Sequence, residues 1–295
     1  MLDAATIKQI KNFELRLSKR VDSLYAGEYV SAFKGQGIEF SQVRKYIEGD
    51  DVRLIDWNVT ARMGEPFVKE YVEERELSIL FMLDISRSEL FGTNRRTKRQ
   101  MMSEFTGTMA YLATLNQDKV GLTLFTDKIE RSLPIKKGRA HFFQLMSHLI
   151  NFEPESTGTN ITEAIRSITK RNFRRSVIFI VSDFLSEEDL YKPLKTVYKR
   201  HDIILVRCRD EQEYQLEFDG FLEVEDPETG EVFAIDGADK RTLKAYRQSI
   251  NDWTEYHERV AKKLHIPIID LSTGVDMVKP IISFIRSRER RGSRR

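Results

Sequence analysis

The 295-residue chain is 40% hydrophobic and 32% charged, with 48 Lys and Arg against 46 Asp and Glu for a formal net charge of +2. That is enough apolar material for an ordinary core plus a small appendage, and a charge balance too even to create a whole-surface field for nucleic acid. The single Cys208 excludes an internal disulfide and a multi-cysteine zinc site, and it fits a reducing compartment.

From Ile7 to Leu24, apolar residues recur at helical spacing and predict one amphipathic helix. It lacks the apolar core of a signal peptide. Residues Tyr29 to Tyr71 change character: Lys34 to Gly37 and Glu48 to Asp51 are turn chemistry between short mixed segments. Residues 1–75 therefore read as an N-terminal helix plus a small β-containing appendage. From Leu77 the pattern alternates. Ile79 to Leu83 is a continuous apolar run, as in a strand buried on both faces of a parallel sheet. A helix follows over Lys98 to Leu115, then a strand over Val120 to Phe125 and a short partner strand over Ile129 to Leu133 ending at Pro134. Arg139 to Ile150 reads as a helix, and another starts near Asn160. Val177 to Val181 is a strand, Glu187 to Lys199 a helix and Ile203 to Cys208 a strand. Phe221 to Glu225 and Glu231 to Ile235 form a hairpin inserted near 214–236. The series resumes with a helix over Lys240 to Leu264, a strand over Ile266 to Leu271 and a helix over Val275 to Arg288, before a basic tail at 289–295 that reads as disordered.

This alternation predicts an α/β fold over 76–288, a doubly wound, mostly parallel sheet. Such sheets bind ligands beyond the carboxyl ends of their strands, where the strand order reverses. The candidate chemistry sits in those loops. The first core strand ends in Asp84-Ile85-Ser86-Arg87-Ser88, the helix near Asn160 is preceded by Thr157-Gly158-Thr159, and the strand Val177 to Val181 ends in Ser182-Asp183. Two carboxylates and three hydroxyls are hard oxygen donors that suit Mg²⁺ or Mn²⁺, which keep waters at unfilled positions. With so few protein charges the ion stays electrophilic, and an acidic residue of another protein could complete its shell. The purely structural alternative has Ser86 and Ser88 capping a turn, Asn160 and Glu163 forming a capping box and Asp183 ending a strand.

The set resembles the metal-ion-dependent adhesion site (MIDAS) of von Willebrand factor type A (vWA) domains: D-x-S-x-S as Asp84, Ser86 and Ser88, a loop Thr as Thr159, and a later Asp as Asp183. Phe184 stands where many such domains have Gly, and Ile161 replaces a frequent second Thr. A second resemblance covers the segment before the core. Gly35-x-Gly37-Ile38-Glu39-Phe40, followed by Arg44-x-Tyr46-x-x-Gly49-Asp50-Asp51-x-Arg53-x-Ile55-Asp56-Trp57-x-x-x-Ala61-Arg62, is similar to the hallmark of the domain of unknown function 58 family. That resemblance implies a non-enzymatic adaptor or chaperone-like partner of a MoxR-type AAA+ ATPase. Many relatives carry membrane helices; here no stretch approaches the roughly 18 uncharged apolar residues of a span. The expectation is a cytoplasmic protein with no direct membrane span. Read without the family, Asp50, Asp51, Arg53, Asp56 and Arg62 are either a second acid/base site or a solvated turn with ion pairs, the simplest reading being that they tie the appendage to the vWA-like part, while Trp57 and Tyr46 pack in a core.

Two other functions compete. An Mg²⁺-dependent phosphoryl-transfer or hydrolytic enzyme would use Asp84 and Asp183, but no P-loop, no Gly-x-Ser-x-Gly elbow and no second acid at spacing two after Asp84 accompany them. His141, His148, His201, His257 and His265 form no ligand spacing. Nucleic-acid binding would rest on Arg95 to Arg99, on Arg171 with Arg174 and Arg175, and on the tail, with no nucleic-acid-binding motif beside them. The Arg95 to Arg99 cluster reads instead as steering an acidic partner surface toward the metal loop.

Overall fold

The computed structural model describes Lys11 and residues 38–73, 76–93, 96–171, 173–214, 220–225 and 230–292. Apart from Lys11, the expected helix Ile7 to Leu24 lies outside them, as do the Lys34 to Gly37 turn and the tip of the hairpin. The chain divides into two compact units at Leu77 and Ser78, the smaller spanning Phe33–Leu77.

In the small unit, β1 (Ile38–Lys45) pairs antiparallel with β2 (Phe67–Glu73), with a register shift between Phe40 and Gln42. Helix α1 (Trp57–Met63) starts where the Asp56 carboxylate accepts the Asn58 and Val59 N–H groups and stops at Gly64, whose φ of 74° is a left-handed C-cap. The acidic and basic residues of this segment satisfy one another inside the unit. Arg44 forks onto Asp50 at 2.7 and 2.8 Å, Arg53 pairs with Asp51 at 2.8 Å, and Lys69 lies 3.6 Å from Asp56. These pairs match the solvated turn of ion pairs that the sequence offers for Asp50, Asp51 and Arg53. Trp57 is corrected: it is 69% exposed rather than core. A two-stranded sheet with one short helix has little interior to offer, and among its described residues Val68 is the buried hydrophobic side chain.

The large unit is the expected α/β fold. Its strands are β3 (Ser78–Asp84), β4 (Lys119–Phe125), β5 (Ile129–Lys136), β6 (Val177–Ser182), β7 (Asp202–Arg209) and β10 (Ile268–Ser272). They lie in the order β10-β7-β6-β3-β4-β5, all parallel except the antiparallel edge strand β5. The intervening hairpin, β8 (Phe221–Glu225) and β9 (Val232–Asp236), is a separate two-stranded sheet. Helices α2 (Lys98–Leu115), α3 (Arg139–Asn151), α4 (Ile161–Thr169), α5 (Tyr191–Tyr198), α6 (Glu211–Tyr214), α7 (Lys240–Leu264) and α8 (Val278–Gly292) complete the series.

Strand alternation explains why the central runs are apolar throughout. Leu80 and Met82 of β3, with Ile178 and Ile180 of β6, share one core cluster with Ile165 of α4, Leu194 of α5 and Leu264 of α7. The residues between them serve the opposite face: Phe81 stacks on Phe179 at 5.2 Å, and Phe105 of α2 meets Phe179 edge-on at 5.9 Å. No helix among the described residues is long and apolar enough to cross a membrane.

Several boundaries differ from expectation, among them the last strand, which is Ile268–Ser272, and the last helix, which starts at Val278; three have a physical reason. β5 runs through Pro134 to Lys136, which is permitted because an edge strand has one side free of ladder donors. α5 begins at Tyr191, not Glu187, placing Pro193 in the first turn, where a missing N–H costs nothing. α8 continues past Arg288 to Gly292, so the expected tail begins as helix; Ser, Arg and Glu offer no breaker before that glycine.

Phe179 is fully buried between Phe81 and Phe105. Phe179→Ala should cost about 3–5 kcal/mol in urea unfolding. A loss below about 1 kcal/mol would mean that the two faces of the sheet are not packed through this ring.

Candidate functional site

The sheet changes winding direction at β3, which sits between β4 and β6, so the loops leaving these strands gather at one edge. Asp84 ends β3 with no exposed surface. Its Oδ1 accepts the Ser86 N–H at 3.0 Å and its Oδ2 the Ser182 hydroxyl, from the end of β6, at 2.8 Å. The Ser86 and Ser88 hydroxyls face each other at 3.1 Å. Ser86 precedes the short 3₁₀ turn Arg87–Leu90, yet its side chain makes no capping hydrogen bond there. The capping alternative therefore fails for Ser86, whose hydroxyl is turned to Ser88.

The Thr157 to Thr159 loop is held against the same place by backbone hydrogen bonds. Arg87 N–H donates to the Thr157 carbonyl at 3.0 Å, and Asn160 N–H to the Thr126 carbonyl, just past β4, at 3.1 Å. Asn160 does cap α4, accepting the Glu163 N–H at 2.8 Å. Glu188 adds a second cap, its two oxygens accepting the Ile161 and Thr162 N–H groups at 2.8 and 2.7 Å. Capping by Asn160 thus leaves the Thr159 loop in place beside Arg87.

Asp183 lies at the same strand edge, but both its oxygens are committed. Oδ2 accepts from Lys98 Nζ at 2.6 Å and Oδ1 from the Leu185 N–H at 3.0 Å. Lys98, the first residue of α2, is fully buried and also donates to Glu213 Oε1 at 2.6 Å. Glu89, directly after Ser88, is fully buried too; its Oε1 accepts the Asp183 N–H at 3.2 Å, and its Oε2 has no hydrogen-bond partner. Lys98 thus bridges Asp183 and Glu213, Glu89 also acts on it by charge, and Asp84 is coupled to the group through the Asp183 charge. Burial, and then the Asp183 charge, push Asp84 up to about 7. The same two causes raise Glu89 well above the usual carboxylate range. Burial lifts Glu213 to about 6 against the pull of Lys98. Burial alone would lower the Lys98 ammonium, but Asp183, Glu89 and Glu213 outweigh it and hold it well above its ordinary value.

Among the described residues no group of three or more His, Cys, Asp or Glu side chains is placed to hold a metal ion. A metal at this edge would depend on hydroxyl oxygens. Asp84, Ser86 and Ser88 supply a convergent hard-oxygen set next to excess negative charge, which fits a divalent cation that keeps waters. Asp183, tied to Lys98, would act on it through charge.

Sequence reasoning missed Lys98, Glu89 and Glu213. Lys98 read as part of a surface basic cluster, yet the cluster turns inward; Arg95 lies outside the described residues. Arg96 donates to the Ser272, Thr273 and Val275 carbonyls and to Glu104, and Arg99 to the Phe152 carbonyl. Arg96 and Arg99 are thus engaged in structural ties to main-chain carbonyls and to Glu104. The one available signal for Glu89 was its position beside Ser88. Phe184 takes φ of 57°, which explains why glycine suits this position elsewhere.

Lys98→Met leaves Asp183 and Glu213 buried without their cation and should cost about 3–5 kcal/mol in chemical denaturation. Unchanged stability would show that the carboxyls are already protonated. The sign at Asp84 is opposite to that of a surface aspartate. Its folded pKa lies above the unfolded 3.8, so its contribution is complete below about pH 4 and is lost as pH rises through about 7. In metal-free protein, Asp84→Asn should gain in melting temperature over wild type between pH 4 and 8. A gap that stays flat or closes would refute this.

Among relatives, an uncharacterized protein of Mycobacterium tuberculosis is 27% identical over 289 residues, covering 95% of this chain and 89% of the relative. Among solved structures, the conserved hypothetical protein BatB from Bacteroides thetaiotaomicron shares 16% identity, covering 72% of this chain and 99% of that one, with a TM-score of 0.48. The SpRpn10 VWA domain shares 11%, covering 72% and 95% respectively, with a TM-score of 0.41. The family model described as "Protein of unknown function DUF58" matches residues 42–256, most of the chain, and the protein belongs to that family.

Proposed function

We propose that this protein is a non-enzymatic, cytoplasmic protein-interaction module of vWA type whose metal-dependent site receives a carboxylate from a partner, and that the partner is a MoxR-type AAA+ ATPase. Asp84, Ser86, Ser88 and Thr159 would hold Mg²⁺ or Mn²⁺, with Asp183 contributing its charge. The bound ion would supply an electrophilic centre that accepts an acidic side chain. The observation that carries this reading is the pairing of the Ser86 and Ser88 hydroxyls at 3.1 Å beside the buried Asp84, with the Ser86 side chain unused as a cap. A hydroxyl pair next to a desolvated carboxylate has little structural purpose, whereas it matches the donors a hard cation takes. The rim fits docking as well: Leu90 and Phe91, which follow Ser88 and Glu89, are 52% and 43% exposed.

Calorimetric titration with Mn²⁺ and Mg²⁺ tests the metal. Wild type should bind, Asp84→Asn should not, and Ser88→Ala should bind roughly 10–100-fold more weakly, the range seen when groups around a metal are altered. The ATPase should then be retained by wild type in Mg²⁺ and released by EDTA. Absence of binding by wild type would remove the metal; ATPase retention indifferent to EDTA and to Asp84→Asn would place the interaction elsewhere.

A further inference from the structure

From Asp210 to Asp239 the sequence holds twelve Asp and Glu residues, and all 48 Lys and Arg residues of the chain lie outside this stretch. In a protein of net charge +2, that is a strong local segregation of sign. The stretch contains the β8–β9 hairpin, whose register sorts its side chains by face. Leu222 opposes Ile235 and Val224 opposes Phe233, so one face is entirely apolar. The other face carries Phe221, Glu223 and Glu225 opposite Asp236, Ala234 and Val232. None of the apolar four is buried: Leu222 is 37% and Phe233 51% exposed, with Val224 and Ile235 half-buried. Phe221 and Val232, on the acidic face, are 80% and 63% exposed. Among the described residues each strand pairs with the other alone, leaving an outer edge of backbone donors and acceptors on both.

We infer that this hairpin is a docking surface for an extended polypeptide segment of a partner protein in which apolar residues alternate with Lys or Arg. Each feature of the surface selects for that chemistry. A free strand edge accepts another strand through main-chain hydrogen bonds, and side-chain alternation then sends one set of residues to each face. An apolar partner set would cover Leu222, Val224, Phe233 and Ile235; a basic set would meet Glu223 and its acidic neighbours. The concentration of acid in this stretch opposes a nucleic acid or an anionic membrane, and it opposes an isologous pairing of two hairpins, which would juxtapose like charges. Glu225 is anchored to Arg87 at 3.2 Å, which fixes one end of β8 to the loop that carries Ser86 and Ser88. The inference does not depend on a metal being bound there.

The probe is a fluorescent, amidated peptide of alternating Lys and Val, titrated with the full chain in metal-free buffer by anisotropy, beside a Lys-Ser peptide of equal charge and a Glu-Val peptide. The Lys-Val peptide should bind, at least tenfold tighter than either control, and weaken as salt is raised. Phe233→Ser, a change at an exposed site, should weaken it at least tenfold while leaving the melting temperature in place. Glu223→Lys should weaken it and reduce the salt dependence. Equal binding of Lys-Ser would reduce the surface to charge alone and overturn the inference, as would binding unchanged by Phe233→Ser. Sedimentation velocity completes the test: concentration-dependent self-association abolished by Phe233→Ser would identify the occupant as a second copy and overturn the assignment to a partner.

Discussion

The burial of Lys98 between Asp183 and Glu213, with the buried carboxyl groups of Glu89 and Asp84 acting on Asp183, at the carboxyl edge of a parallel sheet, constrains much of the rest of this unit. Removing charge from water costs several kcal/mol per ion, and one cation cannot compensate four anions. The fold answers partly by protonation, as the raised Asp84, Glu89 and Glu213 indicate, and partly by aiming donors inward. Ser86 N–H, Ser182 Oγ, Asp183 N–H and Leu185 N–H all point at carboxylate oxygens. The topology makes this possible: only at the switch point do loops from β3, β4 and β6 approach closely enough to share partners.

The turn after β6 shows how local strain is tolerated for the same end. Phe184 occupies the left-handed region, which costs a side-chain-bearing residue roughly 1–2 kcal/mol. Its ring is 2% exposed and lies 5.8 Å from His257, and burying such a side chain contributes roughly 1.5–3 kcal/mol. The two terms are comparable, so phenylalanine is sustainable where glycine would be the conformational choice. The resulting backbone directs the Phe184 N–H to Ser182 Oγ at 3.2 Å, and that hydroxyl in turn donates to Asp84. Strain at one residue thus helps set the orientation of the hydroxyl that holds the central carboxylate.

What could be read in the sequence follows from the range of the interactions involved. The apolar runs of β3 and β6, the Asn160 cap and the 25-residue helix α7 are local patterns, and they appear where the sequence placed them. So do Asp84, Ser86 and Ser88, because a strand end followed by alternating oxygen donors is itself local. Lys98 was misread because its environment is supplied by Asp183 and Glu213, 85 and 115 residues away. Nothing near Lys98 in the chain distinguishes it from its basic neighbours. Trp57 failed for the opposite reason: aromatic residues are buried on average, and the small unit has little core in which to bury one. Arg96 shows the remaining limit, since its carbonyl partners near Ser272 carry no side-chain signature at all.

Within the acidic stretch, Asp236 and Asp239 serve their own turn and helix cap, while three other members reach the larger unit's site loops and helices. Asp210 accepts the Thr93 N–H and both the Thr93 and Thr273 hydroxyls, Glu213 holds Lys98, and Glu225 holds Arg87. Of these three, Glu225 alone belongs to the hairpin, and it joins β8 to the Ser86 and Ser88 loop through an ion pair between half-exposed side chains. A two-stranded hairpin has little stability of its own in water. Among the described residues the support for this one is its own antiparallel ladder and the Arg87–Glu225 pair, while the charge balance at the strand edge rests on Lys98 with Asp183 and Glu213.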